Sequence, residues 1–112
     1  MLRTITLLIV ALALAASTGC IVGDDVSEEE RDRAIQAAME VYEEVADSGR
    51  DLSNGPCIAD ELDDVPGWSV DIAHDPREDV DNDPANQCQA YRDGQTSHFV
   101  ELTPEGELIR AK

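Results

Sequence analysis

Lysine is almost missing from this chain: Lys112 is the only one in 112 residues, and the other seven basic residues are arginine. Against these eight cations stand 25 Asp and Glu, a formal charge of 8 − 25 = −17. Nucleic acid is excluded as a partner, because binding it requires a basic surface. Anionic lipid headgroups are disfavoured for the same reason. Aromatics are scarce too, with only Tyr42, Trp68, Tyr91 and Phe99, and Trp68, Tyr91 and Phe99 are expected in the core rather than in an exposed patch. No Ser or Cys stands in a nucleophile motif, no glycine loop of the phosphate-binding kind is present, and no two carboxylates are marked as a catalytic pair. The expectation is a protein that is not an enzyme, with no cofactor and no catalytic residues; a hydrolase ranks third among the readings.

A long apolar run is also lacking. The longest apolar stretch, Ile5 to Ala16, is twelve residues broken only by Thr6, short of the ~20 that a membrane-spanning helix needs. With Arg3 before it and the small residues Ala15 to Gly19 after it, the stretch has the layout of a secretory signal. Ser17-Thr18-Gly19-Cys20 resembles the lipobox of prokaryotic lipoproteins, with Ser17 where that family usually has an aliphatic residue. The resemblance implies a signal peptide over 1–19, a diacylglyceryl group on Cys20, and a tether over 20–26. It also implies a membrane partner reached through lipid, and a location outside the cytoplasm at the cell membrane or outer membrane. Two acyl chains suffice for stable anchoring where one does not.

Three cysteines are an odd number for an exported chain. With Cys20 as the lipid site, Cys57 and Cys88 remain as a pair in an oxidising compartment. A bridge between them closes a loop of about 32 residues, worth roughly 3.5 kcal/mol in the chain-entropy account. Two free thiols, or a two-cysteine metal site, are the alternatives. The acidity has two readings as well. At ~1 M salt the Debye length is about 3 Å, so carboxylate repulsion is largely screened and a halophilic setting would suit the chain; a genome rich in G and C would also favour Asp, Glu, Ala and Arg over Lys.

Residues 27–112 read as one small α+β domain. Ser27 to Glu30 is a capping box that opens a helix, and Ala34, Ile35, Ala38, Met39, Tyr42, Val45 and Ala46 step by three and four along one apolar stripe. Gly49 ends it. Loop chemistry follows to Cys57, then an ambiguous acidic stretch to Val65. A strand over 68–74 has Trp68, Val70, Ile72 and His74 on one face. After a loop over 75–86, a strand over 87–92 runs to a hairpin signal at Asp93-Gly94. A strand over 97–102 places His98, Val100 and Leu102 together, and a turn at Thr103 to Gly106 closes a terminal hairpin. The expected architecture is that helix packed on a three- to four-stranded antiparallel meander with one disulfide.

Two groups have atoms suited to a metal ion. Asp79, Asp81 and Asp83 alternate, as oxygen ligands do in a calcium loop, although Pro84 stands where the EF-hand frame needs Gly and Ala90 where it needs Glu. His74 and His98 would approach each other if their strands were antiparallel neighbours, and Asp75 or Asp79 could then complete a zinc set; the expected meander instead puts strand 87–92 between them and leaves two structural histidines that hydrogen-bond locally. The leading expectation is a lipid-anchored accessory or interaction module for an unknown protein partner. The alternative is a calcium- or zinc-binding lipoprotein.

Overall fold

The computed structural model describes residues 26–112; Cys20 and the leader lie outside the described residues. The first element, α1, spans Glu28–Asp47. Ser27 caps it by accepting from the Glu30 N–H at 3.1 Å, and Gly49 follows its end with φ +80°. Glu30 does not reach back to complete a capping box. Its Oε1 accepts instead from the Trp68 indole N–H at 3.0 Å, because a buried indole N–H needs an acceptor. Of the expected stripe, Ala34 and Ala38 are fully buried while Ile35, Met39, Tyr42 and Val45 pack at its edges; Ala46 is exposed.

Four strands follow: β1 (Cys57–Ala59), β2 (Trp68–Ile72), β3 (His98–Leu102) and β4 (Leu108–Ala111). They form one sheet in the order β1-β2-β3-β4. β1 is antiparallel to β2 and β3 antiparallel to β4, but the central β2–β3 pair is parallel. The sheet is therefore mixed, which corrects the antiparallel meander. The cause is the link between β2 and β3: residues 73–97 make 25 residues of crossover, ample for a parallel connection, which takes a dozen or more. The segment 87–92 is no strand. It contains a short helix, α2 (Gln89–Arg92), and Asp93-Gly94 ends that helix rather than turning a hairpin. Two single turns of 3₁₀ helix, Asp79–Asn82 and Pro84–Asn86, precede it.

Alternation along the strands sends side chains to opposite faces. Trp68, Val70 and Ile72 pair in register with His98, Val100 and Leu102, and except for half-buried His98 all are fully buried against α1. Leu52, Leu62 and Val65 fill the rest of that core. Tyr42 ties α1 to the β3–β4 turn, its hydroxyl donating to Pro104 O at 2.8 Å. Ser69, Asp71, Phe99 and Glu101 point the other way, towards the crossover. A disulfide joins Cys57 in β1 to Cys88 at the start of α2, with Cα atoms 5.0 Å apart. It pins the crossover to the second face of the sheet. Among the described residues no helix is long and apolar enough to cross a membrane.

Candidate functional site

The crossover covers the second face only in part. Between it and the sheet lies an open cleft of about 580 Å³, within the range of small-ligand sites. Ser69, Asp71, Phe99 and Glu101 form its floor, α2 supplies Tyr91 and Arg92, Arg77 comes from the crossover and Arg110 from β4, and Lys112 follows the end of β4. Several contacts hold α2 in place besides the disulfide. Asp60 Oδ1 accepts from the Ala90 N–H at 2.8 Å, and the Ser69 hydroxyl bridges Asp60 O at 2.7 Å and Thr96 Oγ1 at 2.6 Å. The wall is thus fixed by covalent and buried polar contacts.

The cleft concentrates the chain's scarce cations. Residues 26–112 contain seven basic side chains, Arg31, Arg33, Arg50, Arg77, Arg92, Arg110 and Lys112; the last four line this one cavity. Glu101, with its side chain 7% exposed, anchors two of them: Arg110 Nε donates to Oε1 at 3.0 Å and Arg77 Nη1 to Oε2 at 3.4 Å. Arg77 is further fixed by donating to Asn82 Oδ1 at 2.9 Å and to Asp81 O at 3.2 Å. Phe99 meets Tyr91 edge to face, ring centroids 5.1 Å apart. Arg110 Cζ and Lys112 Nζ each lie 6.0 Å from the Phe99 centroid, at the outer limit of a cation–π contact.

Asp71 is the other acid on the floor. Its Oδ1 is buried without a hydrogen-bond partner. Burial, with Glu101 beside it, pushes its carboxyl up to about 7, and Arg77 offsets only part of this. An uncharged carboxyl is the form such a position favours, because removing a charge from water without a partner is costly.

The aspartates at 79, 81 and 83 do not converge. Asp79 and Asp83 are exposed, and Asp83 Oδ1 accepts from the Ala85 N–H at 3.0 Å. Asp81 is buried and turned inward. Its Oδ2 accepts from the N–H groups of His74 and Glu78 at 3.0 and 2.9 Å, and its Oδ1 meets His74 Nδ1 at 2.9 Å. Burial alone would raise Asp81, but these donors outweigh it and hold its carboxyl below the usual carboxylate range. The Asp81 hydrogen bond in turn raises the His74 imidazole above its ordinary value, against its own burial and with help from Glu78, 3.2 Å from Nε2. The histidines do not meet. β2 and β3 are neighbours, but their parallel register puts His98 beside Trp68 at one end, ring centroids 5.0 Å apart, and leaves His74 beyond Ile72 at the other. Asp75 is exposed beside His74. Among the described residues, three potential ligand atoms converge at Cys57, Asp60 and Cys88, where the two sulfurs are bonded to each other.

Reading the sequence places Trp68 in the core, where it is, but it also puts Tyr91 and Phe99 there; they line the cleft instead. The cations at 77, 92, 110 and 112 have no motif to join them. Their one visible signal is rarity, since in so acidic a chain each basic residue is a candidate for a site. Comparison with family models, with curated proteins and with solved structures finds no match to the chain.

Proposed function

We propose that this chain is a lipid-anchored binding module facing outside the cytoplasm, and that the cleft on the second face of the sheet is its binding surface. The cleft is the observation that carries the reading. A fixed wall, two aromatic side chains and four of the seven described cations gather there, on a surface otherwise dominated by carboxylates. No constellation of nucleophile and base accompanies them, so the reading is binding rather than turnover. The anchor is the diacylglyceryl group implied at Cys20, which would hold the domain at the membrane despite the negative charge of both surfaces.

Surface cross-linking tests both halves. A photoreactive residue replaces Tyr91 in the cleft or Gln36 on the outer side of α1, each with Cys20 intact or as Cys20→Ser. The expected result is a defined adduct from position 91, none from position 36, and loss of membrane association with Cys20→Ser. Intact mass of the extracted protein should show the diacylglyceryl adduct. Unmodified Cys20, or equal cross-linking from both positions, overturns the reading.

A further inference from the structure

Resting on that reading of the cleft, we propose that its ligand is a small organic anion with a flat apolar body, held by a carboxylate or comparable head at Arg92, Arg110 and Lys112 with its body against Tyr91 and Phe99. Charge selects the class. The four cations exceed what the cleft's own acids can balance, because Glu101 is one charge shared by Arg77 and Arg110 and Asp71 is largely neutral below about pH 7. Arg77 is occupied by Glu101, Asn82 and the Asp81 carbonyl. Arg110 donates through Nε, which leaves its two terminal nitrogens for a planar anion. Among the described residues, the ion pairs within 4 Å involve His74, Arg77 and Arg110, and neither Arg92 nor Lys112. Arg92 and Lys112 without an acid of their own, beside an Arg110 that shares Glu101 with Arg77, cost self-repulsion. A chain with 25 acids could relieve this with a single substitution, and a ligand anion relieves it as well.

The aromatic pair sets the shape. Tyr91 is 43% exposed, one of two large hydrophobic side chains so open among the described residues, and its edge-to-face contact with Phe99 presents a surface on which a planar group can rest. The 6.0 Å cation distances to Phe99 are too long for those cations to be held mainly by the ring. Asp71, which feels Glu101 on β3 and Arg77 and Asp81 on the crossover, makes the site sensitive to pH. Ionising it adds a negative charge to the floor, so anion affinity should fall on the order of tenfold between pH 6 and 8.

The test uses the membrane-extracted protein in phosphatidylcholine nanodiscs, with empty discs as the blank. Benzoate, benzylammonium and inorganic phosphate are titrated by calorimetry. Benzoate should saturate at one per chain, bind at least tenfold tighter than phosphate, and be weakened at least fivefold by Lys112→Gln and by Arg92→Gln, both exposed positions whose change spares the fold. Its affinity should become independent of pH between 6 and 8 in Asp71→Asn. Benzylammonium should give no saturable binding. Preference for benzylammonium, equal affinity for phosphate and benzoate, unchanged benzoate affinity in both charge variants, or no benzoate binding at all overturns the ligand class. If benzoate fails while cross-linking at position 91 persists, the ligand class falls and the binding surface stands. If both fail, both readings fall.

Discussion

Asp71 and Glu101 are register partners across the parallel pair of β2 and β3, which sets two carboxyl groups side by side on the floor of one cleft. Their fates differ. Glu101 receives two guanidinium groups, whereas Asp71 Oδ1 receives no donor. Asp71 therefore binds a proton more tightly in the folded chain, at about 7, than in the unfolded chain at ~3.9. Its contribution to stability is fully present below pH ~4 and is lost as pH rises to about 7. The difference between those two values corresponds to ~4 kcal/mol as an upper bound. Asp71→Asn should stabilise the fold at pH 8 by about 2 kcal/mol, half that bound because the group is not sealed from solvent. At pH 4 it should change little. Denaturant unfolding at the two pH values checks it, and equal effects at both would show that Asp71 is not held neutral.

The disulfide gives a second expectation. Cys57 and Cys88 join the edge of the sheet to the wall of the cleft. Replacing both with Ser should cost roughly 3.5 kcal/mol by the loop-closure argument. Loosening should concentrate in residues 84–97, since β1 retains its pairing with β2 while α2 loses its covalent tie. Hydrogen exchange resolved by residue distinguishes this from uniform weakening.

How legible was this in the sequence? Local signals worked where one physical cause dominates. Ser27 and Gly49 bound the helix through capping and positive φ, and alternation at Trp68, Val70 and Ile72 marked a strand with one buried face. The failures lie at Glu30, which bonds Trp68 rather than closing a capping box, at the three-residue strand Cys57–Ala59, and above all between residues 73 and 97. A four-residue helix has too few positions to show a period, and Asp-Gly reads alike after a strand or after a short helix. The parallel pairing depends on where a 25-residue link returns, which no local window contains. That error hid the site: the expected meander puts strand 87–92 between β2 and β3, whereas their direct parallel pairing brings Asp71, Phe99 and Glu101 together with Tyr91.

Gly55 and Asp81 supply a third test. Gly55 has φ +67°, and a Cβ there would meet Asp81 Oδ1 and lie 2.9 Å from Ile72 O. Gly55→Ala meets backbone strain and displaces the acceptor of His74 together. It should cost about 3 kcal/mol, several times the ordinary cost of a surface change. The same variant should reduce the stability that His74 contributes. Because the folded imidazole is raised, that contribution is fully present below pH ~6.5 and is lost as pH rises through the folded value. Chemical-shift titration of the His74 ring in wild type and Gly55→Ala should show the raised midpoint falling towards the ordinary one. An unmoved midpoint would mean that Gly55 does not position the pair.

Salt dependence is the last expectation, and α1 makes it specific. Residues 26–112 carry 7 basic and 23 acidic side chains, −16 in all. The helix alone holds eight acids against Arg31 and Arg33, and no basic residue stands in its last turn. Glu28, Glu29 and Glu30 suit the positive end of the helix dipole, but Glu43, Glu44 and Asp47 crowd its negative end, each unfavourable by about 0.3–1 kcal/mol at low ionic strength. At 1 M salt a Debye length of ~3 Å screens most of this. The melting temperature should rise continuously from dilute buffer into molar potassium chloride, but salting-out of apolar surface raises it too. A charge-reversed helix end separates the two causes. Glu44→Lys with Asp47→Lys, both exposed, should stabilise the chain by about 2 kcal/mol in dilute buffer. In 1 M salt the gain should shrink to less than about 0.5 kcal/mol. An equal gain at both salt concentrations would mean that the charges at this helix end are not what salt relieves, and genome composition would then be the better account of the acidity.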